Sequence, residues 1–308
     1  MSKTAIQIKG LKKSYNNALA LKGVDIEISK GEFFGLLGPN GAGKTTTINI
    51  LTGLVFKDAG TCLVFEKDIV KDYRYTRSKI GIAAQELSVD WFFTIEKLLY
   101  FQAGYYGISS KKAKTKVNEL LGRLGLDKKR DSRLRQLSGG MKRRLAIARS
   151  LMGSPTVIVL DEPSTGLDPQ SRNRVWEELA ILKDSGVTVL LSTHYMEEAA
   201  TLCDRLSIMD QGKILDEGTP DQMILKHAPQ KVAQVRVAPG SLRRVRDYLR
   251  KNEISFREVG ALISVTEAEG VAPDLSELDE VDGVRTSYRV GNLEDVFLTL
   301  TGRELRDG

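Results

Sequence analysis

Gly38-Pro39-Asn40-Gly41-Ala42-Gly43-Lys44-Thr45 fits the pattern G-x-x-x-x-G-K-[ST], and no other stretch constrains the fold of this chain as tightly. The glycines let the backbone turn sharply enough for successive N–H groups to point at one anion. Lys44 then places positive charge on the β- and γ-phosphates of a nucleotide, and Thr45 offers its hydroxyl to Mg²⁺. Such a loop needs a strand before it and a helix after it. Glu32-Phe33-Phe34-Gly35-Leu36-Leu37 reads as a short buried strand, and residues 46–54 read as a helix. The positive end of that helix adds to the same phosphate site. A glycine-rich turn with no ligand is the bland alternative, and the flanking strand and helix argue against it.

The rest of the chain supplies the sheet. Ile6-Gln7-Ile8 and Val24-Asp25-Ile26-Glu27-Ile28 alternate apolar and polar residues, as antiparallel strands with one wet face do. Ile80-Gly81-Ile82-Ala83-Ala84 reads as a strand of small residues. Thr156-Val157-Ile158-Val159-Leu160 and Val187-Thr188-Val189-Leu190-Leu191 are continuous apolar runs, expected of strands buried on both faces. Helical patterns fall at 94–124, with a turn at 104–110, and at 141–152, 171–185 and 197–204. The expectation is an α/β fold of the P-loop class, with a mostly parallel core sheet, an antiparallel β subdomain and a helical lobe at about 90–150. After Gly218-Thr219-Pro220 the pattern changes to β-α-β-β-α-β plus a last helix, which suits a small α+β, ferredoxin-like domain. The expected division is 1–224 and 225–308.

Bulk properties narrow the class. A length of 308 residues accommodates two domains. The net charge of +6 reads as a solvated surface, and Arg243-Arg244-Val245-Arg246 as the wet face of a helix. Cys62 and Cys203 lack any paired spacing and read as isolated reduced thiols. No apolar run approaches the ~20 residues that span a bilayer. Met1 to Gly10 is polar and broken by lysines, unlike a signal peptide. A soluble, cytoplasmic protein is expected, with any membrane role carried by a separate partner.

Ligands of open α/β sheets bind beyond the carboxyl ends of the strands. Asp161 and Glu162 follow the 156–160 run, and two carboxylates after a buried strand are costly unless they meet cations. Asp161 suits Mg²⁺, directly or through water, and Glu162 suits a general base for an attacking water. Gln85 closes the small-residue strand; alone it reads as a surface residue. His194 closes the 187–193 strand, where it either contacts the γ-phosphate or orients Glu162. Leu137-Ser138-Gly139-Gly140-Met141 forms a second anion cradle, because Ser138 caps a helix behind two glycines. One P-loop has no evident use for two cradles, whereas an ATP shared between two subunits would use both.

Taken together, these residues resemble the nucleotide-binding subunit of ABC transporters. The resemblance covers about residues 1–220 and rests on six segments in the family's order: Gly38–Thr45 (Walker A), Gln85 (Q-loop), Leu137–Gly140 (signature), Val157–Glu162 (Walker B and catalytic Glu), Ser164–Asp168 (D-loop) and His194 (H-loop). Tyr15 matches the aromatic that stacks on adenine. Met141 stands where the commoner signature has Gln. Met141-Lys142-Arg143-Arg144-Leu145, Thr193-His194-Tyr195-Met196-Glu197-Glu198-Ala199 and Asn292-Leu293-Glu294-Asp295-Val296-Phe297-Leu298 resemble the ABC-2-type exporter subgroup.

The resemblance implies an ATPase with ATP and Mg²⁺ as ligands. Two subunits close head to tail, with Lys44, Thr45 and Thr46 acting from one chain and Ser138, Gly139 and Gly140 from the other. Asp168 joins the nucleotide-binding set, and Gln85 senses the metal alongside Thr45 and Asp161. The segment from Gln85 to Phe93, with its apolar Val89-Asp90-Trp91-Phe92-Phe93, meets a separate permease or packs within the helical lobe. Nucleic acid is not an expected partner. The rival readings are a soluble ABC ATPase working on ribosomes or nucleic acid, and another P-loop kinase or GTPase. The single P-loop and the lack of sustained heptads count against the first; the signature loop and the lack of an N-K-x-D motif count against the second.

Overall fold

The computed structural model describes residues 3–16, 18–85, 92–266 and 275–302. The chain divides between Thr219 and Pro220 into two compact units. The boundary expected at 224/225 would cut a helix, Pro220–His227, that opens on its proline. Proline at the first turn loses no hydrogen bond and stops the preceding strand, so the break comes earlier.

In the first unit, β1 (Thr4–Tyr15) and β2 (Ala18–Ser29) form a long antiparallel pair. β3 (Phe33–Leu37) leads through the glycine loop into α1 (Lys44–Leu51). β4 (Ala59–Val64) and β5 (Lys67–Asp68) return to the first pair, giving a sheet of order β2-β1-β4-β5. There follow α2 (Tyr73–Lys79), β6 (Ile80–Ala83), α3 (Ile95–Tyr105), α4 (Ser110–Arg123), α5 (Gly139–Leu151) and β7 (Val157–Asp161). α6 (Pro169–Asp184), β8 (Thr188–Thr193), α7 (Met196–Leu202), β9 (Arg205–Asp210) and β10 (Lys213–Gly218) complete the unit.

The second sheet has the order β10-β9-β3-β8-β7-β6. Its five strands from β9 to β6 are parallel; β10 is antiparallel to β9. Every residue of β3, β7 and β8 is buried, which is why those strands read as unbroken apolar runs. In β2 the outward Asp25 and Glu27 alternate with buried Val24, Ile26 and Ile28. The inner face of that sheet, the inner face of the parallel sheet and α1 share one core that includes Ile6, Ile8, Leu36, Ile48, Leu51 and Val159. Each such side chain contributes roughly 1.5–3 kcal/mol on burial. That core fixes the carboxyl ends of β3, β7 and β8 side by side, and the polar residues that follow them converge there.

The second unit begins with α8 (Pro220–His227). Then come β11 (Lys231–Val237), α9 (Leu242–Lys251), β12 (Phe256–Val259), β13 (Leu262–Thr266), α10 (Ser276–Asp279), β14 (Val284–Val290) and α11 (Leu293–Thr301). Its sheet has the order β12-β13-β11-β14, antiparallel throughout, so β13 lies between β11 and β12 as in a split β-α-β arrangement. α9 buries Val245 and Leu249 against this sheet and turns Arg243 and Arg244 to solvent. Arg246 pairs with Glu258, its Nε 2.6 Å from Oε2.

Candidate nucleotide site

The loop after β3 depends on close backbone approach. A Cβ on Gly38 would lie 2.1 Å from the Met209 carbonyl oxygen, and Gly43 has a φ of +111°. Gly43 is also the N-cap of α1 and offers no side-chain acceptor to the first-turn amides. Lys44 is buried, and its Nζ donates to the carbonyls of Gly38 at 2.7 Å and Pro39 at 3.1 Å. The same ammonium lies 3.3 Å from Oε1 of Glu162. Burial pulls the Lys44 pKa down, and the Glu162 charge opposes that pull. α1 begins at Lys44 rather than at 46, because the amides of Lys44 and Thr45 already belong to its first turn.

The two carboxylates at the end of β7 are both buried. Glu162 adopts a left-handed φ of 47°, a conformation that costs an ordinary residue about 1–2 kcal/mol. Its amide is held by the Ser192 carbonyl at 3.0 Å. In a continuing strand, side chains 161 and 162 would leave by opposite faces. The kink instead leaves both within the field of Lys44.

Their environments then push them apart. Glu162 has Nδ1 of His194 at 3.3 Å from Oε2, the Thr165 hydroxyl donating at 3.1 Å and Nε2 of Gln85 at 3.5 Å. The His194 hydrogen bond, followed by the Lys44 charge, holds the Glu162 carboxyl down at about 2. Burial pushes Asp161 up, partly offset by hydrogen bonds from the Ser192 hydroxyl, at 2.5 Å, and from Thr45. Adjacent carboxylates are thus separated into one firmly ionised group and one that needs a counter-charge.

Gln85 is anchored from behind. Nη1 of Arg143 donates to the carbonyls of Ala84 at 3.1 Å and Gln85 at 3.0 Å. Arg143 is buried in the second turn of α5, a role its sequence does not announce among neighbouring basic residues. Ser192 was likewise hidden at the end of an apolar run. A buried hydroxyl near the end of a strand buried on both faces is the one signal that points to it.

The signature segment stands apart from this cluster. Ser138 is exposed and caps α5, accepting from the Met141 amide at 3.3 Å, so α5 starts at Gly139 and not at 141. Gly140 is buried where a Cβ would come within 2.8 Å of Ser171, at the start of α6. Asp168 caps α6 through the Ser171 amide at 2.9 Å. No hydrogen bond or ion pair joins Ser138 to Lys44 or Glu162 among the described residues. Tyr15 is exposed, with Nζ of Lys13 5.4 Å from its ring centroid. Asn40 and Gly41 are exposed at the loop tip, and Thr46 is half-buried in the first turn of α1.

Of the apolar segment at 89–93, residues 89–91 lie outside the described residues. Phe92 is exposed, whereas Phe93 meets Phe101 of α3 edge-on, with ring centroids 4.9 Å apart. Phe93, Tyr100, Phe101 and Val117 line a groove of about 430 Å³. No helix of the described residues is long and apolar enough to cross a membrane.

Comparison with known proteins agrees with this geometry. The family model described as "ABC transporter" matches residues 21–165. A "Nod factor export ATP-binding protein I" of Rhizobium sp. (strain N33) is 40% identical over 307 residues, covering 99% of each chain. The protein of the same name from Burkholderia orbicola (strain AU 1054) is 40% identical and covers 100% of both. Among solved structures, an "ATP binding subunit of ABC transporter" aligns with a TM-score of 0.66 at 27% identity, over 72% of this chain and 92% of that one. A dimeric ATP-binding cassette in a post-hydrolysis state with ADP and Pi aligns with a TM-score of 0.64 at 26% identity, over 70% of this chain and 98% of that one.

Proposed function

This chain belongs to the ABC transporter family as an ATP-binding subunit and ATPase, and from that premise we propose that Lys44, Glu162 and His194 carry its ATP hydrolysis, which drives an exporter. The observation that carries the reading is the Lys44–Glu162–His194 cluster, with both contacts to Glu162 at 3.3 Å. Lys44 and the uncapped start of α1 bind the β- and γ-phosphates. Water attacks the γ-phosphorus; the new P–O bond forms as the bond to the bridging β–γ oxygen breaks, and ADP leaves. Glu162 orients that water and accepts its proton. With its pKa held at about 2, Glu162 is a weak base but an ionised one at neutral pH. That suffices, because the loose transition state of phosphoryl transfer asks more for positioning than for proton abstraction.

Asp161 and Thr45, with Gln85 beside them, fit a Mg²⁺ ion. Asp161 is buried, raised by burial and already bonded to Thr45, so a cation there offsets an existing cost. A bound Mg²⁺ would spread the negative charge of the phosphates.

The exposed Ser138–Gly140 start of α5 would meet the γ-phosphate held by a second copy; a dimeric relative with bound ADP and Pi supports this. Tyr15 is exposed and free to stack on adenine, and Asp168 lies beside the same interface. The Phe93–Phe101 groove would receive a short helix from a membrane subunit, and the chain would then sit on the cytoplasmic face of that membrane. The relatives' names suggest a cargo of the Nod factor type, with selection residing in the permease.

Glu162→Gln tests the reading. Turnover is expected to fall by about 10²-fold or more while ATP still binds, giving a long-lived dimer seen by size-exclusion chromatography. Near-normal turnover would overturn the assignment.

A further inference from the structure

Behind the Glu162–His194 pair lies a second buried carboxyl that the proposed chemistry does not use. Glu198 of α7 is wholly buried. It accepts from the hydroxyl of buried Ser164, in the loop between β7 and α6. It also accepts at 3.0 Å from Nε1 of Trp176, on α6, and that N–H lies 2.9 Å from Oγ of Ser164. Burial pushes Glu198 above the usual carboxylate range. A side chain so costly to bury usually does more than fill space.

Its partners are informative. Ser164 is two residues past Glu162, and Glu198 is four residues past His194, in the helix that follows it. The loop that carries Glu162 and the segment that carries His194 are therefore joined through one carboxyl group. We infer that Glu198 is a positioning residue for hydrolysis, fixing the separation between Glu162 and His194 through its bond to Ser164. The inference rests on the reading of Glu162 and His194 as the working pair. The catalytic edge is thereby braced from α7.

Kinetics of the purified full-length chain with Mg·ATP test this with four variants. Glu198→Gln keeps an acceptor for Ser164 and Trp176; its kcat is expected to stay within about threefold of the parent. Glu198→Ala is expected to lower kcat about tenfold or more with the KM for ATP little changed, since a small misplacement of reacting groups is costly in rate. Ser164→Ala breaks the same link from the other side and is expected to lower kcat at unchanged KM; it carries the test should the alanine at 198 fail to fold. Glu162→Gln runs alongside. If it retains turnover, the underlying reading fails. If it is inactive while Glu198→Ala or Ser164→Ala retains more than half of kcat, the positioning role alone is overturned. Equal losses in Glu198→Gln and Glu198→Ala would overturn it as well, because the hydrogen bonds would then not be what matters.

Discussion

The starts of α1 and α5 are built on similar residues and finished in opposite ways. A glycine stands at each start, as the N-cap of α1 and as the first residue of α5, and both present the positive end of a helix. α1 has no side-chain cap, and its first residue, Lys44, is buried and engaged with Glu162. α5 is capped by its own Ser138, which is exposed and makes no bond to that cluster. One helix start faces into the subunit and joins a network of buried charge. The other faces out and is satisfied locally. An anion site completed within one chain needs the first construction; a surface meant for a second chain suits the second, since an exposed serine stays soluble until a partner arrives.

The sharpest way to break this contrast is to fill the outward cradle. Ser138→Arg is expected to reduce hydrolysis by about 10²-fold or more, as loss of a transition-state contact does, while leaving the affinity of the monomer for ATP unchanged. Loss of monomer binding, measured by equilibrium titration at low protein concentration, would place both cradles in one chain.

A smaller effect distinguishes the two starts by pH. The Glu162 carboxyl sits at about 2 in the folded chain, below the ordinary value near 4.3. The stability it contributes is fully present above that ordinary value and is lost as pH falls from about 4.3 through 2. The urea midpoints of wild type and Glu162→Gln are therefore expected to draw together between pH 5 and pH 2, relative to their difference at pH 7. Ser138→Ala should show no such convergence. That variant carries the smallest effect: losing the cap is expected to cost about 1 kcal/mol at any pH, read as a shift in the urea midpoint.

The same contrast explains what the sequence disclosed. The inward cluster was legible because glycine and lysine spacing, apolar runs and the carboxylates after them all depend on local order. The left-handed turn at Glu162 was not, because nothing in Asp161-Glu162-Pro163 demands it; the Ser192 carbonyl, thirty residues on, imposes it. Arg143 was read as one basic residue among several, since its value lies in two carbonyls nearly sixty residues earlier. β4 and β9 went unread for a related reason: each is short and is secured by pairing with distant strands, β4 with β1 and β9 with β3. The boundary expected at 224/225 falls inside a helix that opens on Pro220, and the division comes before that helix.

The two bonds from Arg143 to the carbonyls of Ala84 and Gln85 have a mechanical meaning. They rivet the start of α5 to the strand end that leads toward the helical lobe. A displacement of residue 85 would therefore be passed through that guanidinium toward the turn that carries Ser138.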